Sequence, residues 1–159
     1  MTVVETLLKA GARLDIIDNI GGTPLFYAMF YGREAIVEVL LKHGATPISA
    51  DKMSTQLFFS AVKMGDLQVV QLFLDSGFNI DSRENDNQTP LLLALEKGHS
   101  DMIRIFLDQG ANIQVKDQDG RTPLHCAVFS GDPEIVQLIL NNNTEVNSVD
   151  SKKNTPLHL

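Results

Sequence analysis

Tryptophan is absent from the 159 residues, and the chain has one cysteine, Cys126. A single thiol forms no internal disulfide, which leaves a reducing compartment as the expected setting. No apolar run approaches the roughly 20 residues needed to span a bilayer. The opening Met1-Thr2-Val3-Val4-Glu5 lacks the basic and then apolar layout of a secretion signal. Direct membrane insertion is thus not expected, and the cytoplasm or nucleus is. Positive charge is scarce as well: 13 Lys and Arg stand against 20 Asp and Glu, for a formal charge of −7. Such a chain repels phosphate backbones at long range, so nucleic acid is not an expected partner. At 43 % hydrophobic residues the chain still has enough apolar material for a packed core.

Recognisable chemistry is missing too. Zinc needs clustered ligands at short spacing, and one cysteine with four scattered histidines does not supply them. No glycine-rich phosphate loop, nucleophile elbow or calcium loop occurs. Cys126 follows His125 directly, but neighbours on a helix point about 100° apart, so no Cys-His dyad is implied. The expectation is a chain without catalytic residues, metal or cofactor. Two glycosylation sequons, Asn87-Gln88-Thr89 and Asn142-Asn143-Thr144, read as chance matches without a secretion signal.

Periodicity, by contrast, is abundant. Thr23-Pro24-Leu25 returns as Thr89-Pro90-Leu91, Thr122-Pro123-Leu124 and Thr155-Pro156-Leu157, with a degenerate copy, Gln56-Leu57-Phe58, in the gap. The same period of 33 carries Ala28, Ala61, Ala94 and Ala127, and it carries Gly32, Gly65, Gly98 and Gly131. Each unit has a physical reading. Thr23 caps a helix by accepting from an orphan backbone N–H. Pro24 fits the first helical position, where its missing N–H costs nothing. Leu25, Ala28 and Met29 follow at helical spacing, and Gly32 ends the helix. Ile36, Val37, Leu40 and Leu41 form the stripe of a second helix. Gly44 stops that helix, and its counterparts are Gly11, Gly77, Gly110 and Asn143, all residues that tolerate a left-handed backbone. Polar stretches such as Lys116-Asp117-Gln118-Asp119-Gly120-Arg121 read as tight turns between units.

Thr122-Pro123-Leu124-His125-Cys126-Ala127, the 33-residue period and Leu40-Leu41-Lys42-His43-Gly44-Ala45 together resemble the ankyrin repeat over essentially the whole chain. The resemblance implies an all-α repeat solenoid, with a β-turn finger and two antiparallel helices per unit. Residues 1–159 then form a single domain. Full units run 23–55, 56–88, 89–121 and 122–154, flanked by partial repeats at 1–22 and 155–159. The unit at 56 has lost the Thr-Pro pair, has Ser54 where Gly21 and Gly120 sit, and has Phe78 where Ala45 and Ala111 sit. It is expected to be the least regular. The chain opens inside one amphipathic helix and stops inside another, so it reads as part of a longer array. The expected state is a monomer, with weak self-association through the bare ends as the alternative. His125 and His158 stand where the family uses histidine for hydrogen bonds between adjacent repeats, while His43 and His99 fall at exposed helix ends.

The resemblance also implies that another protein binds the concave side, built from finger tips and first-helix ends. Through the 33-residue register these positions include Ile20, Phe30, Tyr31, Met53, Lys63, Met64, Asp86, Glu96, Asp119, Arg121 and Phe129. Apolar residues dominate its N-terminal half, with Ile20, Phe30, Tyr31, Met53 and Met64, and polar ones its C-terminal half, apart from Phe129. Exposed apolar patches mark interaction sites, and aromatic and Met side chains are what interface centres favour. A second reading stays open, in which the segment is a passive or elastic spacer of a longer array.

Overall fold

The computed structural model describes the backbone of residues 3–46, 52–84 and 87–159, and the side chains of all of these except 52 and 53. Among the described residues there are nine α-helices and no strand: α1 Val3–Lys9, α2 Pro24–Phe30, α3 Glu34–Lys42, α4 Lys52–Met64, α5 Leu67–Asp75, α6 Pro90–Lys97, α7 Ser100–Asp108, α8 Pro123–Ser130 and α9 Pro133–Leu140. A 3-10 turn at Pro156–His158 follows. The helices fall into two compact units, residues 1–61 with 67–79 and residues 62–66 with 80–159.

The local signals act as expected. Thr23 Oγ1 accepts from the Phe26 N–H at 3.1 Å, and Thr89 Oγ1 accepts from the Leu92 N–H at 3.4 Å. Proline occupies the first position of α2, α6 and α8. The residues that stop the second helices adopt positive φ, including the one non-glycine member of that column, Asn143, at 55°. A further column sets the fingers. Asp18 Oδ1 accepts from the N–H groups of Ile20 and Gly22, Asp117 Oδ1 from those of Asp119 and Arg121, and Asp150 Oδ1 from those of Lys152 and Asn154. One carboxylate thus closes each turn.

In the first unit α2 packs on α3, and α1 touches α3. Leu25, Ala28, Met29, Val37 and Leu40 are buried. The repeat expected to be irregular differs in two ways. Without Thr and Pro at 56 and 57, no signal starts a helix there, and α4 begins four residues before Gln56, at Lys52. Met53, Ser54 and Thr55, expected in a finger, are therefore helical, and Ser54 is buried. Phe78, in place of the usual alanine, fills the interior: its ring lies 4.5 Å from that of Phe58 and 5.2 Å from that of Phe73. In the second unit α6 packs on both α7 and α8, and α8 packs on α9 and on the 3-10 turn.

Candidate functional site

The candidate surface of the first unit grows from the short helix α2, whose Leu25, Ala28 and Met29 face the core. Its aromatic residues fall in pairs four apart, the spacing that places side chains side by side on a helix. Phe26 and Phe30 stack at 5.8 Å, Tyr27 and Tyr31 stack at 6.3 Å, and Phe30 meets Tyr31 edge-on at 5.1 Å. Phe26 is buried and Tyr27 half-buried, whereas Phe30 is 56 % and Tyr31 63 % exposed. The four rings form a ridge with a buried foot and an open edge.

The finger ahead of α2 is tied to this ridge. The hydroxyl of Tyr27 donates to Asp18 Oδ2, while Asp18 Oδ1 holds the Ile20 and Gly22 amides at 2.9 Å. The Tyr27 hydroxyl, followed by the Gly22 amide, holds the Asp18 carboxyl below its ordinary range. The same bond raises the Tyr27 phenol. A Cβ at position 22 would come within 2.8 Å of the Tyr27 ring, so any larger residue there displaces the ring from its place against the finger. At the finger tip Ile20 is 64 % exposed. Ile20, Phe30 and Tyr31 thus belong to elements joined by the Asp18–Tyr27 bond.

In the second unit the expected residues are more scattered. Met64 and Phe129 are 79 % and 73 % exposed, and Lys63 is exposed beside Met64. Glu96 accepts from Gln88 Nε2 and from Lys97 Nζ, each at 2.8 Å. The Arg121 guanidinium is engaged by Asp117 at 2.8 Å and Asp119 at 3.5 Å. It is therefore partly spent on its own finger. The Asp119 carboxylate is exposed. Asp86 and the side chain of Met53 lie outside the described residues, and the helical backbone at 53 removes that position from a finger.

The histidines hold structure together. His125 is fully buried; its Nδ1 accepts from the Thr122 N–H at 3.1 Å and lies 2.8 Å from Thr122 Oγ1. The Nε2 of His125 lies 3.1 Å from the Asn154 carbonyl, which can only accept, so Nε2 carries the proton. His158 repeats the threonine half of this pattern with Thr155. His43 donates from Nδ1 to the Val39 carbonyl at 2.7 Å. His99, expected to be exposed, is half-buried: its Nε2 donates to the Lys63 carbonyl at 3.2 Å, and its ring covers Gly65. Cys126 is buried, and burial pushes its thiol up to about 12, away from the thiolate form that reacts. Among the described residues no three His, Cys, Asp or Glu side chains cluster as metal ligands would, and no helix is long and apolar enough to cross a membrane.

The Asp18–Tyr27 link was absent from the sequence-based site. The recurrence of aspartate at 18, 117 and 150, spaced by multiples of 33, is the signal that marks the finger carboxylates.

A family model described as ankyrin repeats in three copies matches residues 57–150. A second, described as a single ankyrin repeat, matches residues 21–52. No curated protein matches the chain.

Proposed function

The chain belongs to the ankyrin-repeat family, and on that premise we propose that it binds a partner protein through its finger tips and first-helix ends. Ankyrin repeats are generally protein–protein interaction modules and typically non-catalytic. The observation that carries the finer reading is the exposed ridge of Phe30 and Tyr31, with Ile20 on the finger tied to it. Rigid aromatic rings that keep more than half their surface in water are the side chains that gain most from a partner. Each large apolar side chain buried against one contributes about 1.5–3 kcal/mol. Met64 and Phe129 are secondary apolar contacts in the second unit. Lys63, Glu96 and Asp119 supply exposed charge that selects among partners, with Arg121 restrained by its own aspartates.

The test separates surface from core. A photo-crosslinking amino acid at position 30, exposed to a cell lysate, is compared with one at the exposed Arg104 on α7. Position 30 should trap a discrete protein that position 104 does not, and Tyr31→Ser should abolish the adduct. The double change Phe30→Ser and Tyr31→Ser should cost little stability, since exposed substitutions usually stay within about 0.5 kcal/mol. Leu40→Ala, in the core of α3, should cost about 2–5 kcal/mol. Early melting of the Phe30/Tyr31 variant, or the same adducts from both positions, sinks the reading.

A further inference from the structure

The chain has two tyrosines, and they stand in different surroundings. Tyr27, on α2, is half-buried, and its hydroxyl donates to Asp18. Tyr31 caps the C-terminal end of α2 and is 63 % exposed. Its ring is held from the side, by Phe30 at 5.1 Å and by Tyr27 at 6.3 Å. Its hydroxyl has no hydrogen-bond partner among the described residues. That exposure belongs to the register position rather than to one end of the chain: Met64, Lys97 and Ser130, one, two and three periods on, are exposed as well. Tyr31, Arg13 and Arg33 line one groove. Arg13 is held by Asp15 at 2.9 Å, whereas the exposed Arg33 makes no ion pair among the described residues.

We propose that Tyr31 is a phosphorylation site, and that a phosphate there, paired with Arg33, closes the aromatic ridge to its partner. The closing role rests on the reading of the ridge as a binding surface. In the transfer the γ-phosphoryl group of ATP passes to Tyr31 Oη within a tyrosine kinase. The Oη–H bond breaks and its proton goes to the kinase's base; the Oη–P bond forms as the bond from the γ-phosphorus to the leaving oxygen breaks, and ADP departs. The product carries about −1.5 to −2 charge beside Phe30. An apolar partner that closed over the rings would have to strip water from that charge, and the cost opposes binding. A guanidinium with no carboxylate of its own meets phosphate through parallel N–H donors, which suits Arg33 and not Arg13. Tyr27 is shielded by the same features: its hydroxyl is engaged and its ring half-buried, so a kinase reaches it only when the finger opens.

The full chain, folded, is incubated with ATP and a broad-specificity tyrosine kinase, and its peptides are mapped by mass spectrometry. Tyr31 should carry the phosphate, and Tyr27 should be labelled at least about tenfold more slowly. Tyr31→Phe should take up almost none while folded. For the partner, a photo-crosslinking residue replaces Ile20 on the finger, which leaves Phe30 and Tyr31 as they are. Its adduct from a cell lysate should fall by about tenfold or more on phosphorylation and return after phosphatase treatment. In the phosphorylated chain Arg33→Gln should raise the second phosphate midpoint, read by phosphorus NMR, because an opposite charge is removed. Equal labelling of the two tyrosines, a bare Tyr31, an adduct that phosphorylation leaves unchanged, or a midpoint indifferent to Arg33 overturns the proposal. No adduct even before phosphorylation is a different result: it sinks the binding reading, and the closing role falls with it.

Discussion

The hydroxyl of Tyr27, on α2, donates to the carboxylate of Asp18, nine residues earlier in the finger. The fold favours the charged carboxylate and the neutral phenol, so the Asp18 carboxyl is lowered from 3.8 and the Tyr27 phenol raised from 10.0. The acid-side stabilisation is present above the unfolded carboxyl value and is lost as pH falls through the lower folded one. The alkaline-side stabilisation is present below the unfolded phenol value and is lost as pH rises through the higher folded one. Tyr27→Phe should therefore raise the Asp18 midpoint, read by carboxyl NMR, and Asp18→Asn should lower the Tyr27 midpoint, read by ultraviolet titration. Unmoved midpoints would mean that the two groups are not bonded in solution.

The His125 ring joins the start of α8 to the Asn154 carbonyl of the next repeat. His125→Ala leaves the buried Thr122 N–H without its ring acceptor and cuts the link to the Asn154 carbonyl, which keeps the Asp150 N–H as a donor. A loss of about 1–3 kcal/mol is expected for the one group left buried and unsatisfied. His158→Ala removes an exposed ring and should cost under about 0.5 kcal/mol. Urea denaturation of the two variants checks the difference, and equal losses would refute the bridging role. Partner capture by the folded fraction of either variant should be unchanged.

What the sequence made legible follows from the range of the forces involved. The threonine caps, the prolines at first helical positions and the left-handed stops act over three or four residues, so Thr23, Pro24 and Asn143 could be placed from their neighbours alone. The exposure of Phe30 and Tyr31 followed from the register, because Leu25, Ala28 and Met29 take the inward face. The Asp18–Tyr27 bond depends on a finger folding back over nine residues, and the ring of His99 over Gly65 on packing between segments 34 residues apart. Neither distance is written in a local pattern. The position of Met53 was misread for a different reason: the register was carried through a unit that had lost the Thr-Pro signal on which the register's start rests.

Burial holds the Cys126 thiol near 12 against an ordinary 9.0. Since only the thiolate attacks, at pH 8 the reactive fraction falls by roughly a thousandfold from the shift alone. Alkylation by iodoacetamide should accordingly be slow in the native protein and rapid in urea. Fast native alkylation at Cys126 would show that the thiol is reachable and lowered, and would reopen a chemical role for it.

The clearest conflict between family pattern and structure lies at residues 56 and 57. If a helix began at 57, as helices begin at Pro24, Pro90 and Pro123, restoring the pair with Gln56→Thr and Leu57→Pro would add a cap worth about 1 kcal/mol. In the structure α4 runs from Lys52 to Met64, so position 57 is the sixth of thirteen helical residues. There proline removes an N–H from the i to i−4 ladder and drives its ring against the carbonyl four residues back, at a cost of about 3 kcal/mol or more. The two accounts differ in sign. Gln56→Thr alone replaces one exposed helical side chain with a β-branched one and should cost a few tenths, up to about 0.7 kcal/mol. The double variant should unfold at distinctly lower urea and lose far-ultraviolet helical signal. If its midpoint rises instead, the helix starts at 57 in solution, and Met53 returns to a finger where a partner could reach it.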